Sequence, residues 1–314
     1  MIRRARHKPA PAAPAASAVL TLCLALGAGG AMAAPVALPD QEGWAAARTS
    51  TGTAQGIRLG YVELGEAPGS ATGLPVILIH GYTDSSRSWS LLAGPLRDAL
   101  PGRRIIAVEL RGHGISDAPE CCYGPDNLAD DLKGAMDALG IARADLVGHS
   151  LGSITAAELA ATHPDRVNRL VLASSATAIP AAASEWLWQE IPALPDQIDP
   201  ADAFMTAWFA NPNPVPPDFL SREMAEAAAI PKHVWTGVLT SLTTHDWTML
   251  APRISAPTLV LWGDQDGLFG PESQAALHAA LPGADTLTYP GLGHNFFWEQ
   301  PDQAAGDIAA FLKK

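Results

Sequence analysis

The chain has 314 residues, 48% of them hydrophobic and 17% charged, with a formal net charge of −12. It is long and apolar enough for one large domain, or two ordinary ones, with a sizeable buried core. Acidity on this scale argues against nucleic acid or anionic membrane surfaces as partners, and the sequence holds no basic patch, zinc-type cysteine spacing or phosphate-binding loop.

Residues 1–33 stand apart. "MIRRARHK" carries Arg3, Arg4, Arg6 and Lys8 and no acid, and "AASAVLTLCLALGAGGAMAA" follows, apolar but broken by Gly27, Gly29 and Gly30. A charged start, an apolar core and small residues are the order of a secretory signal peptide, with Ala31-Met32-Ala33 as its A-x-A site and cleavage after Ala33. The competing reading, an uncleaved anchor, needs a span of about 20 residues, and this core is short and glycine-rich for that. Cleavage removes four basic residues and moves the charge from −12 to −16. The expected product is secreted or periplasmic, with no stable membrane span. Cys23 leaves with the leader, so Cys121 and Cys122 remain as neighbours in an oxidising compartment, either as a vicinal disulfide or as a small buried apolar pair.

Beyond the leader, "GIRLGYVELG" alternates like a strand. It is followed by "LPVILIHG" (74–81), "RRIIAVELRG" (103–112), "ADLVGHS" (144–150), "VNRLVLASS" (167–175), "PTLVLWGD" (257–264) and "DTLTYPG" (285–291). Several of these runs are short and almost continuously apolar, as strands buried on both faces are. Between them lie helical-length segments: "SWSLLAGPLRDAL", "NLADDLKGAMDALG", "LGSITAAELAATHP", "GPESQAALHAAL" and "QPDQAAGDIAAFLKK". The alternation predicts an α/β fold with a mostly parallel central sheet and helices on both faces. Residues 176–250 break it. They show no clear strand, many prolines and five tryptophans, and read as an inserted helical lid between two parts of one core, 34–175 and 251–314.

Loops at the carboxyl ends of parallel strands converge on a ligand crevice. There "GHSLG" places Ser150 between Gly148 and Gly152, at a corner between an apolar run and a helix whose free N–H groups point back at it. This is the G-x-S-x-G nucleophile elbow. A serine hydroxyl needs a base. His149 should leave the turn in another direction, and His163, His233, His245 and His278 sit in helical or lid segments. His294, in the glycine-flanked loop "YPGLGHNFFWEQP" after the last strand, is the candidate base. "WGDQDG" offers two carboxylates to orient it. Asp264 directly follows the strand and suits a turn cap, whereas Asp266 lies further out and is the better candidate acid.

With these motifs in this order, the chain resembles the lid-bearing serine hydrolases of the α/β-hydrolase superfamily over roughly residues 57–314, the lid excepted. "HGYTDSSRSW" is similar to the family's oxyanion loop with its downstream tryptophan, here Trp89. "ELRGHGISDAP" is similar to its R-G-H-G-x-S turn, "GHSLG" to its elbow, "WGDQD" to its acid loop and "GLGHNFFWEQP" to its base loop. The resemblance implies an α/β-hydrolase fold, a Ser150–His294–Asp266 triad and an oxyanion hole of the backbone N–H groups of Tyr82 and Leu151. Arg111 and His113 would fix the turn after their strand. The implied reaction is acyl transfer to water without metal or organic cofactor, on a small-molecule ester. Trp186, Trp188, Trp208 and Trp235, with Phe204 and Phe209, are the candidate substrate-binding residues of the lid. With no Arg or Lys cluster there, the expected substrate is a neutral carboxylic ester. A lactonase or other acyl hydrolase, and a low-turnover small-molecule-binding or sensing protein, are the alternatives.

Overall fold

A computed structural model of the protein describes residues 36–314, so the predicted leader and its cleavage site lie outside the described residues. Eight strands form one sheet: β1 (Thr49–Gly52), β2 (Arg58–Glu63), β3 (Val76–Ile79), β4 (Ile105–Val108), β5 (Ala144–His149), β6 (Val167–Ala173), β7 (Thr258–Gly263) and β8 (Asp285–Tyr289). Their spatial order is β1-β2-β4-β3-β5-β6-β7-β8. The first two pairings, β1 with β2 and β2 with β4, are antiparallel, and all later ones are parallel.

The middle strands are the continuous apolar runs of the sequence. Every residue of β3 (VILI) and β4 (IIAV) is buried. β-Branched side chains suit a pleated surface covered on both sides, and burying each large one contributes about 1.5–3 kcal/mol. Helices cover the two faces: α1 (Ser90–Ala99) packs on α10 (Pro301–Leu312), and α2 (Pro125–Ala138) packs on α3 (Leu151–Thr162). α8 (Pro271–Ala280) and the short α9 (Phe296–Glu299) complete the second half. β1, a polar and largely exposed edge strand, was not legible as a strand because "TSTG" has no apolar alternation.

Between β6 and β7 the chain leaves the sheet and forms α4 (Ala181–Glu190), α5 (Ala203–Trp208), α6 (Pro217–Ala228) and α7 (Lys232–Leu242). The base of this excursion is closed by Trp247, whose backbone N–H donates to Thr177 O at 3.1 Å and whose indole Nε1–H donates to Ala176 O at 2.9 Å. Glu226 of α6 ties it to the core through ion pairs with Arg48 and Arg87 and a 2.6 Å hydrogen bond from Ser85 Oγ. On the β4 side, Arg111 grips Asp131 with a forked ion pair and donates to Cys122 O at 2.8 Å, so it fixes the turn after its strand. Cys121 and Cys122 are joined in an exposed vicinal disulfide, so they are not a buried apolar pair. Among the described residues no helix is long and apolar enough to cross a membrane.

Candidate active site

Ser150 follows β5 and caps α3 with φ +50° and ψ −119°, a left-handed conformation that a non-glycine residue holds at a cost of about 1–3 kcal/mol. The surroundings over-determine it. Its N–H donates to Ala173 O at 3.0 Å, and its carbonyl accepts from Ser153 N at 2.9 Å and Ser153 Oγ at 2.5 Å. The flanking glycines make the corner possible. A Cβ on Gly148 would clash with the backbone of Gly152 and Ser153, and one on Gly152 would clash with the carbonyls of Ile79 and His80. The strand, the helix and the β3 loop therefore meet backbone to backbone around one hydroxyl.

His294 lies on the loop after β8. A carboxylate only accepts, so Nδ1–H donates to Asp266 Oδ2 at 2.9 Å, and the bare Nε2 is left on the other side of the ring. Asp266 is fixed in turn by the N–H groups of Leu268 at 2.9 Å and Phe269 at 3.0 Å, both on Oδ1. Burial by itself would raise its pKa, but His294 and these two N–H donors hold it below the ordinary value. The His294 backbone is also pinned, its carbonyl accepting from Ser174 Oγ at 2.6 Å and from His149 Nε2 at 3.2 Å. Asp264 sits apart from this chain of contacts and accepts from Gly291 N at 2.7 Å, bracing the loop. Ser150 and His294 line the same cavity without a direct hydrogen bond between them, a loose arrangement common in ligand-free sites.

Tyr82 and Leu151 flank Ser150. Leu151 opens α3, so its N–H has no helical acceptor, and the Tyr82 N–H has no partner in the loop after β3. The Tyr82 hydroxyl is turned away to the Trp235 carbonyl. His80 and His113 lie wholly buried behind this loop. Burial lowers them to about 4 and about 3, and His80 Nε2 accepts the Leu110 N–H at 3.0 Å, which is structural work.

The cavity measures about 430 Å³. Of the four tryptophans singled out from the sequence, Trp186 and Trp208 line it, stacked 5.9 Å apart. The other two do not. Trp188 is 44% exposed on the opposite side of α4 and hydrogen-bonds Thr243 Oγ1. Trp235 is fully buried, its ring packed on Tyr82 and Phe204, because it belongs to the apolar face of α7 with Val234, Val238, Leu239 and Leu242. Phe209 reaches the cavity, while Phe204 packs behind it. Two titratable lining residues were missed. Asp84, in the β3 loop, is 5% exposed, and the His149 ring lies tilted 4.9 Å from the His294 ring. Asp84 sits inside the quoted run "HGYTDSSRSW", but nothing in that run says which of its polar side chains turn inward. In fact Asp84, Ser85, Ser86, Arg87 and Ser88 are all buried. Among the described residues no group of three or more His, Cys, Asp or Glu side chains has the arrangement of a metal site.

A sequence model of the alpha/beta hydrolase fold matches residues 75–301. The putative 2-succinyl-6-hydroxy-2,4-cyclohexadiene-1-carboxylate synthase of Bacillus subtilis is 28% identical over 271 residues, covering 82% of this chain and 95% of that protein. The 2-hydroxy-6-oxononadienedioate/2-hydroxy-6-oxononatrienedioate hydrolase of Burkholderia vietnamiensis is 26% identical, covering 76% of this chain and 87% of its own. Among solved structures, the enol-lactonase from Burkholderia xenovorans superposes with a TM-score of 0.69 at 25% identity, over 85% of this chain and all of that one.

Proposed function

Because the chain belongs to the alpha/beta hydrolase family, we propose that it is a serine hydrolase that cleaves a neutral carboxylic ester through an acyl-enzyme. The observation that carries this reading is the strained Ser150 in the wall of a cavity shared with His294, itself bonded to the buried Asp266. Ser150 Oγ attacks the carbonyl carbon as His294 Nε2 takes its proton. The proton then passes to the leaving alcohol, and water activated by the same nitrogen releases the acid. Asp266 holds the imidazole in the accepting tautomer and stabilises its charge after proton transfer. The N–H groups of Tyr82 and Leu151 receive the oxyanion, and the loss of one such donor costs on the order of 3 kcal/mol.

Two relatives are named for a carboxylate and a dioate. The cavity here has no Lys or Arg in its wall, and its faces are largely indole, phenyl and aliphatic, which fits a substrate without anionic groups. A lactone is a cyclic ester, so the likeness to an enol-lactonase supports lactone opening by the same steps as a second reading. The charged, apolar and small-residue order of residues 1–33 supports export, with a secreted or periplasmic product.

The test is a panel of nitrophenyl esters of rising acyl length, beside a carboxylate-bearing analogue and a simple lactone. The wild-type protein is expected to hydrolyse the neutral esters and disfavour the anionic one. Ser150→Ala should retain only the residual acceleration of binding and the oxyanion hole, about 10³–10⁴-fold over water. A variant with undiminished turnover, or a marked preference for the anionic ester, would overturn the reading.

A further inference from the structure

Asp84 is out of place in an apolar cavity. Its side chain is 95% buried, yet among the described residues it pairs with no Lys or Arg and only the His149 ring lies within ion-pair reach. Oδ2 accepts the Gly81 N–H at 3.2 Å and the Ser88 hydroxyl at 3.4 Å and faces His149 Nδ1 at 3.5 Å. Among the described residues Oδ1 has no hydrogen-bond partner, and Asp84 lines the cavity. The buried arginines Arg87 and Arg48 are engaged elsewhere. Arg87 pairs with Glu226 and donates to Gln41 O at 2.7 Å, and Arg48 pairs with Glu109 and Glu226. Burial disfavours the charged form of His149 against the pull of Asp84.

A second, independent feature stands beside this carboxylate. The rings of Tyr82, Trp186 and Trp208 line the same cavity, with Tyr82 edge-on to Trp208 at 6.0 Å. Indole and phenol faces attract cations and polarised N–H or O–H bonds and have no such preference for a methyl group. Carboxylate and aromatic faces thus favour the same chemical feature in whatever fills the cavity.

We propose that Asp84 is a specificity-determining residue, whose Oδ1 accepts a hydrogen bond from a hydroxyl or ammonium group carried by the ester substrate. This deepens the reading of the site as an ester hydrolase and rests on it. An ester without such a donor strips water from Oδ1 and returns nothing, and a carboxylate left unpaired in this way is penalised more than the same contact is rewarded. A site built around such a group rejects the analogue that lacks it far more strongly than an apolar wall rejects a missing methylene. A hydroxyl keeps the substrate neutral. An ammonium would make the ester a cation rather than a neutral molecule, and it would also draw on the indole faces and the acidic character of the protein as a whole.

The experiment compares three nitrophenyl esters of equal acyl length, ending in methyl, hydroxyl or ammonium, and a parallel set with the same groups on the alcohol side. The readout is the ratio of kcat/KM between partners of one set, in which any general damage to the loop cancels. In the wild-type protein at least one donor-bearing ester is expected to exceed its methyl isostere by about tenfold or more. Asp84→Asn keeps an acceptor for the Gly81 N–H but removes the charge, so it should lower the ammonium ratio more than the hydroxyl ratio, whereas Asp84→Leu should abolish both. Equal turnover of all three wild-type esters in both sets overturns the inference and leaves the hydrolase reading standing, and it does so even where a variant fails to fold. Wild-type preference that survives unchanged in folded Asp84→Leu also overturns it. No turnover of any ester would instead count against the hydrolase reading itself.

Discussion

Ser150 and Asp266 are held by main chain, whereas Trp186 and Trp208 are held by other side chains. Of the first pair, Ser150 sits where β5, α3 and the loop after β3 meet backbone to backbone, and Asp266 is fixed by two N–H groups of the loop after β7. The second pair hangs from the helices between β6 and β7, packed ring on ring and on Phe204, with Trp208 Nε1 bonded to Thr83 Oγ1 at 2.8 Å. Backbone constraint fixes geometry to fractions of an ångström and tolerates few sequences. Ring packing fixes shape loosely and tolerates many. The chemistry of the protein should therefore be brittle and its substrate preference plastic.

The sharpest break of that contrast lies within the acid loop. Asp266→Asn is expected to lower kcat by about 10⁴-fold, because the amide forces the wrong tautomer on His294 and supplies no charge. Asp264→Asn, two residues away and exposed, should leave kcat nearly unchanged and act only on the 2.7 Å bond to Gly291 N. Steady-state kinetics of the two variants, side by side, checks this, and the reverse ranking would reassign the acid.

A pair of alanine substitutions sharpens the comparison in stability. Gly152→Ala drives a methyl into the carbonyls of Ile79 and His80 and should cost about 1–3 kcal/mol or more, read as a fall in Tm together with lost turnover. Trp186→Ala opens the cavity wall instead. It should raise KM for long acyl esters by about tenfold while leaving Tm and the turnover of short esters close to the wild type. Equal thermal losses in the two variants would erase the distinction between the regions.

The smallest effect concerns the seam where the regions meet. Glu223 of α6 is wholly buried with neither carboxylate oxygen hydrogen-bonded, and burial, reinforced by Asp84 and Glu226, pushes its pKa well up. The folded chain therefore keeps a proton that the unfolded chain releases above about pH 4.3. Its contribution to stability is fully present below that pH and is lost as pH rises toward the folded value. Glu223→Gln removes this proton uptake and should raise Tm by about 2–4 °C near pH 8, with the gain vanishing near pH 4. A gain independent of pH would mean that Glu223 is ionised in the fold.

The same division governs what the sequence could disclose. "GHSLG", "WGDQD" and "GLGHNFF" were legible because backbone geometry demands glycine and the proposed chemistry demands Ser, Asp and His at fixed points of the chain. The continuous apolar runs that became β3, β4, β6 and β7 were legible for a related reason, since a strand buried on both faces admits little else. The inserted segment was legible only as helical and aromatic. Which rings face the cavity depends on helix rotation, and there one signal was available. Trp235 lies at helical spacing with Val238, Leu239 and Leu242, which marks it as core. Asp84 had no comparable signal, because a buried carboxylate in a polar loop is fixed by tertiary contacts alone.

The central claim is that Ser150 is the nucleophile. The direct measurement is to treat the protein with a fluorophosphonate ester, digest it and locate the adduct by mass spectrometry. A single phosphonyl group on the peptide that contains Ser150, formed in step with the loss of esterase activity and absent from Ser150→Ala, is the predicted result. Loss of activity with the adduct on another residue, or full activity after complete labelling of Ser150, would contradict it.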